Sequence, residues 1–173
     1  MKRNILLWSA AGFSFATLGG TILHFLFDWT DGSILVAPFS GVNESTWEHM
    51  KLLYWPLLLF TIVQHRFCNW ENYWCVKLVG TLAGLMLIPV LFYTIRGIFG
   101  PTPDWINIGI FYVTAACVYA LEGWMYSVNW PTCHRTWIAL SIMLAVGILF
   151  VIFTFETPQI PLFQDPLTGS YGL

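Results

Sequence analysis

Two short stretches of this chain hold the residue types that metal or acid–base chemistry needs. One is His24-Phe-Leu-Phe-Asp28, and the other is Asn43-Glu-Ser-Thr-Trp-Glu48-His49-Met-Lys51. His24 and Asp28 are four residues apart and share one face of a helix that runs that far. Two imidazoles and a carboxylate are a donor set for a zinc- or iron-like divalent cation, with coordination positions left for water. His24, Asp28 and His49 are therefore the expected metal ligands. Water on such a cation is acidic enough to attack an ester, amide or phosphoester, and Glu48 or Glu44 would act as general base. Asn43 and Lys51 flank the set as candidate ligand-binding groups. Each residue also has a plainer role. Ser45-Thr-Trp-Glu48 reads as a capping box, with Ser45 as N-cap and Glu48 reaching back from the third helical position. Asp28 would merely end its helix, and Glu44 and His49 would face water. Together they favour a site, because ionisable groups in spanning segments are expensive and tend to mark function.

A membrane bundle has to position these groups. Of the 173 residues, 57% are hydrophobic and 9% charged, against about 25% charged in a soluble domain. So few charges cannot cover a water-facing surface. Five segments have the roughly 20 apolar residues that a spanning helix needs: 5–27, 46–65, 73–95, 105–128 and 136–155. The expected fold is all-α, a polytopic bundle of about five transmembrane helices over residues 1–156. A Pro- and Gly-rich tail, 157–173, is expected to fold as a cap, anchored by Leu162 and Phe163 and turning at Asp165-Pro166 and Thr168-Gly169. Lys2, Arg3, Arg66, Lys77 and Arg135 fall at one end of the bundle, and only Lys51 and Arg96 at the other. That bias predicts an N-in, C-out topology, with both chemical stretches at the outer face. The tryptophans fall at the two interfaces and none at mid-membrane. Pro56 and Pro89 interrupt the second and third helices, and the carbonyls they free are expected to face the bundle. The four cysteines form no C-x-x-C pair and fall in or near the inner half, so no structural disulfide is expected. A net charge of −2 without a basic tract excludes nucleic acid as a partner.

Glu122 is the carboxylate that lies well inside an apolar span. It is a candidate ligand-binding or relay group; the plainer expectation is a hydrogen bond to Gln64, His65 or a Tyr hydroxyl.

At Asn-Glu-Ser-Thr-Trp-Glu-His-Met-Lys (43–51) and Pro-Leu-Phe-Gln-Asp-Pro-Leu-Thr-Gly-Ser-Tyr-Gly (161–172) the chain resembles a family of small, uncharacterised bacterial integral membrane proteins. The resemblance covers nearly the whole chain. It implies a multi-helix bundle in the bacterial plasma membrane and carries no activity. The residues themselves point to a metal-dependent, membrane-embedded hydrolase acting on a lipid-like substrate. The alternatives are a small-solute or ion permease, or its binding subunit, using the outer groups and Glu122, and a non-catalytic membrane factor. Membrane lipids, a lipid-like or small-molecule ligand and a second copy of the chain are the expected partners.

Overall fold

The computed structural model describes every residue except Met1, Asn69 and Thr102, and every side chain but those three and Lys2, Arg3 and Asp104. Five helices follow in order: α1 (Lys2–Trp29), α2 (Thr46–His65), α3 (Tyr73–Phe99), α4 (Asp104–Val128) and α5 (Thr136–Phe155), then a short 3-10 turn, Pro161–Phe163. Among the described residues there is no strand, only an isolated antiparallel bridge between Gln164 and Tyr171 in the tail.

Four of the helices, α1, α3, α4 and α5, are long and apolar enough to cross a membrane. The fifth, α2, has the length, about 30 Å for its 20 residues. It differs in composition, since it carries Glu48, His49, Lys51, Gln64 and His65. The structure shows why these are tolerated. Helix α2 packs against all four other helices, so Glu48, Lys51 and Gln64 are buried in protein, where polar groups can find partners, while His65 in the last turn is exposed. Leu53, Leu57 and Phe60 of α2 form the core with Ile88, Val118 and Phe150. Pro56 is buried on the same helix. The carbonyl it frees is that of Leu52, four residues back. Gly20 of α1 lies against that carbonyl: a Cβ there would stand 3.1 Å from the Leu52 oxygen. The missing side chain lets α1 approach α2 next to the polar ends of both helices.

Two expectations are corrected. Cys75 and Cys133 form a disulfide, 58 residues apart in sequence. The first turn of α3 and the α4–α5 loop meet at one end of the bundle, a proximity that sequence spacing does not reveal. Trp47, expected in an interfacial belt, is buried against Phe150 and Phe163, with ring centroids 4.6 Å away in both cases.

Candidate metal site at one end of the bundle

The loop between α1 and α2 returns Glu44 over the end of α1. Asn43 shapes this turn: its Oδ1 accepts the Ser45 N–H at 2.9 Å, and its Nδ2 donates to the Gly172 carbonyl at 2.9 Å. Ser45 then caps α2, its hydroxyl accepting the Glu48 N–H at 3.4 Å. Glu44 is thereby held between the two histidines. One carboxylate oxygen lies 3.5 Å from His24 Nε2, and the other lies 3.7 Å from His49 Nε2. Donor atoms of His24, Glu44 and His49 all lie within 4.8 Å of one another.

His49 is already oriented. Its Nδ1 lies 2.9 Å from the Ser45 carbonyl. A carbonyl only accepts, so Nδ1 carries a proton, which leaves Nε2, on the Glu44 side, as the nitrogen able to bind a metal. Metal-binding histidines are typically held in this way by a second partner on the other nitrogen. In a tetrahedral site with bonds of about 2.05 Å, ligand atoms stand about 3.3 Å apart. The two pairs, each through a different Glu44 oxygen, lie a few tenths of an ångström beyond that spacing, and the three donor atoms together span up to 4.8 Å, so the set has to draw in around a cation. Glu44 is held below the ordinary carboxylate range, chiefly by the hydrogen bond from His24, against the opposing effect of burial. It is therefore an anion at neutral pH, as a cation ligand must be.

The three side chains form one wall of a cavity of about 350 Å³. Phe25, Ile108, Phe111, Tyr112 and Leu167 supply apolar walls, and Asn107 a polar one. Leu167 comes from the tail, which is folded and fixed at this end. Phe163 is buried between Trp47 and Phe153. Asp165 ties the following turn by accepting the Leu167 N–H and the Thr168 hydroxyl.

The chain belongs to a family of unknown function (DUF6512), whose model matches residues 2–173. No curated protein and no solved structure matches it. For this member of the family, roles therefore rest on geometry alone.

The structure sorts the expected site residues differently from their spacing. His24 and His49 converge. Asp28 is exposed and stands outside the donor cluster, and Glu44, which arrives from the loop, takes its place. Glu48, expected as a base or a capping-box partner, is 3% exposed and engaged elsewhere. Its carboxylate accepts the Val42 N–H at 3.0 Å and lies 2.6 Å from Lys51 Nζ. Only half of the capping box forms, because the ammonium one turn along α2 draws the carboxylate away. Lys51 is wholly buried and also donates to the Ala37 carbonyl and the Thr154 hydroxyl. It joins loop, α2 and α5, and does not line the cavity. Asn43 holds the tail.

Glu122 lies toward the opposite end, near the Cys75–Cys133 disulfide. Its partner is Lys77 of α3 at 2.5 Å, not Gln64, His65 or a tyrosine hydroxyl. Gln64 instead accepts from the Tyr73 hydroxyl at 3.3 Å. Gly80 makes the pairing sterically feasible, since a Cβ there would stand 2.8 Å from Glu122 Cγ and Oε1. Phe60, Tyr73 and Tyr119 enclose the ammonium, with ring centroids 5.4 to 5.8 Å from Nζ. Asn107 was not singled out by sequence reasoning. Its one signal was an amide beside Trp105 near the end of an apolar span.

Proposed function

We propose that His24, Glu44 and His49 bind a divalent, zinc-like cation and that the protein is a membrane-embedded hydrolase of a lipid-like substrate. The observation that carries this reading is the grouping of donor atoms from His24, Glu44 and His49 within 4.8 Å of one another at a cavity wall, with His49 Nδ1 held 2.9 Å from the Ser45 carbonyl. Such a cation would supply Lewis acidity and lower the pKa of bound water. The chain's own residues do the rest. Glu44 contributes negative charge and a second oxygen able to take up a proton, and the apolar walls bind a hydrocarbon chain away from water. In the net reaction, water oxygen bonds to the acyl carbon, the ester or amide bond breaks, and the proton passes to the leaving alcohol or amine.

Zinc content after gel filtration tests the first half. We expect about one zinc per wild-type chain and none in His24→Ala or His49→Ala. Wild-type protein that retains no zinc, manganese or iron after loading would end the proposal.

The positive-inside bias supports a reading in which this site lies at the outer face of a bacterial plasma membrane. Lys77 and Lys51 are buried in ion pairs, so five against two becomes four against one when each is set aside (5 − 1 and 2 − 1). The bias survives, although the side chains of Lys2 and Arg3 lie outside the described residues. The Cys75–Cys133 disulfide opposes it, because that end would then face a reducing cytoplasm. Labelling of single engineered cysteines at Ser33 and Ser127 in a Cys-free background with a membrane-impermeant maleimide decides the matter. Reaction at Ser33 alone supports an outward-facing site, and reaction at Ser127 alone reverses it.

A further inference from the structure

The cavity beside the histidines is specific about what it would hold. No Lys or Arg is among the described residues that line it. Sites built for phosphate use guanidinium, ammonium or a helix N-terminus to meet the charge, and here the fixed charge on the wall is the Glu44 carboxylate. At about 350 Å³ the space is near the lower end of the roughly 300–1,000 Å³ typical of small-molecule sites. One inserted hydrocarbon chain fits that volume better than the two of a diacyl lipid.

Asn107 adds a second requirement. It borders the cavity and also a water-sized void of about 10 Å³ that it shares with His49. Its Oδ1 is enclosed and has no hydrogen-bond partner. An acceptor left so costs about 1–3 kcal/mol, and buried polar groups in native structures are nearly always paired. Because Asn107 lines the cavity, a turn of its side chain brings this oxygen to a ligand's donor and recovers that loss; a ligand without a donor recovers nothing.

We infer that the cavity takes an uncharged, single-chain amphiphile with a hydrogen-bond donor at its head, such as a fatty-acid amide or a hydroxylated monoester, and that Asn107 accepts the donor. This inference rests on the proposed metal site for its chemistry, but its binding geometry is separate. The hydrocarbon lies along Phe25, Ile108 and Phe111, and the acyl group lies between Asn107 and the two histidines. Asn107 is thus a positioning residue that selects among amphiphiles.

The test compares three probes of equal chain length on the metal-free full chain in detergent, so that a bound cation does not itself draw the anionic probe: N-dodecanoylethanolamine, methyl dodecanoate and dodecyl phosphate. Affinities are read by calorimetric titration as mole fractions in the micelle. N-dodecanoylethanolamine should bind about tenfold more tightly than methyl dodecanoate, and dodecyl phosphate no better than the ester. In Asn107→Leu the ratio of the two uncharged probes should fall to near one. Should that variant fail to fold, the same ratio is read in Asn107→Ala. Tightest binding by dodecyl phosphate, or an unchanged ratio in the variant, overturns the inference. Zinc content is measured on parallel samples loaded with the metal. Bound zinc without probe preference removes this inference alone. Probe preference without bound zinc removes the metal reading and leaves the ligand class standing.

Discussion

Replacing Glu122 by Gln tests whether the buried pair at the far end of the bundle is a strut or a working relay. Lys77 is fully buried and Glu122 is 2% exposed. At 2.5 Å and an effective dielectric constant of about 20, their attraction is about 7 kcal/mol. Desolvation of each ion takes back several kcal/mol, so the pair contributes far less in net terms than this figure. Removing one partner is a different matter, because the other charge remains buried and unpaired, at a typical cost of about 3–5 kcal/mol. The aromatic rings around Lys77 offset some of that, by about 0.5–1 kcal/mol or more for a well-placed ring. A loss of roughly 3 kcal/mol is therefore expected for Glu122→Gln and somewhat more for Lys77→Met, where the carboxylate has no aromatic compensation. The double variant Lys77→Met/Glu122→Gln removes both charges and should recover most of the loss. Reversible unfolding in mixed micelles, by denaturant or steric trapping, gives the four corners of the cycle. Additive losses in the double variant, or a Glu122→Gln loss below about 1 kcal/mol, would show that the two charges are not coupled as described and would revive a relay role for Glu122.

Other outcomes follow from the same geometry. Asp28→Asn should leave zinc content unchanged, whereas Glu44→Gln should lower it strongly, since Glu44 supplies the anionic donor and Asp28 does not; equilibrium dialysis against zinc reads both. Zinc affinity should fall as pH drops below neutral, because both imidazoles must be free of protons at Nε2; an affinity flat down to pH 5 would exclude them as ligands. Gly80→Ala would drive a methyl into Glu122 and should destabilise by about 1–3 kcal/mol, read by the same unfolding assay. Phe163→Ala empties a buried aromatic position against Trp47 and Phe153, should cost about 3–5 kcal/mol, and should expose the tail to carboxypeptidase.

Much of the scaffold was legible from the order of residues. Helices α2 and α5 match the apolar segments to the residue, and the other three extend them by a few residues. The reason is physical: in lipid a backbone must satisfy itself within one segment, so length and hydropathy nearly determine the helix. Ser45 announced the start of α2 through the local chemistry of its hydroxyl. The histidines of the site were visible as well, because imidazoles at the ends of apolar spans are conspicuous.

Only the tertiary structure chose the partners. His24 was paired by spacing with Asp28, four residues on, yet the third group is Glu44, 20 residues away, because the loop folds back over α1 and is pinned through Asn43 to the tail. Lys77 and Glu122 are 45 residues apart, and Cys75 and Cys133 are 58 apart. Local periodicity carries no information at such separations; they are set by which helix faces meet and where a glycine admits a neighbour. Composition and spacing thus determined that this chain is a helical bundle with His24 and His49 at one end. Packing decided that the carboxylate beside them is Glu44, that Glu48, Lys51 and Glu122 are bound up in ion pairs, and that Asn107, with an unpaired amide oxygen, lines the same cavity.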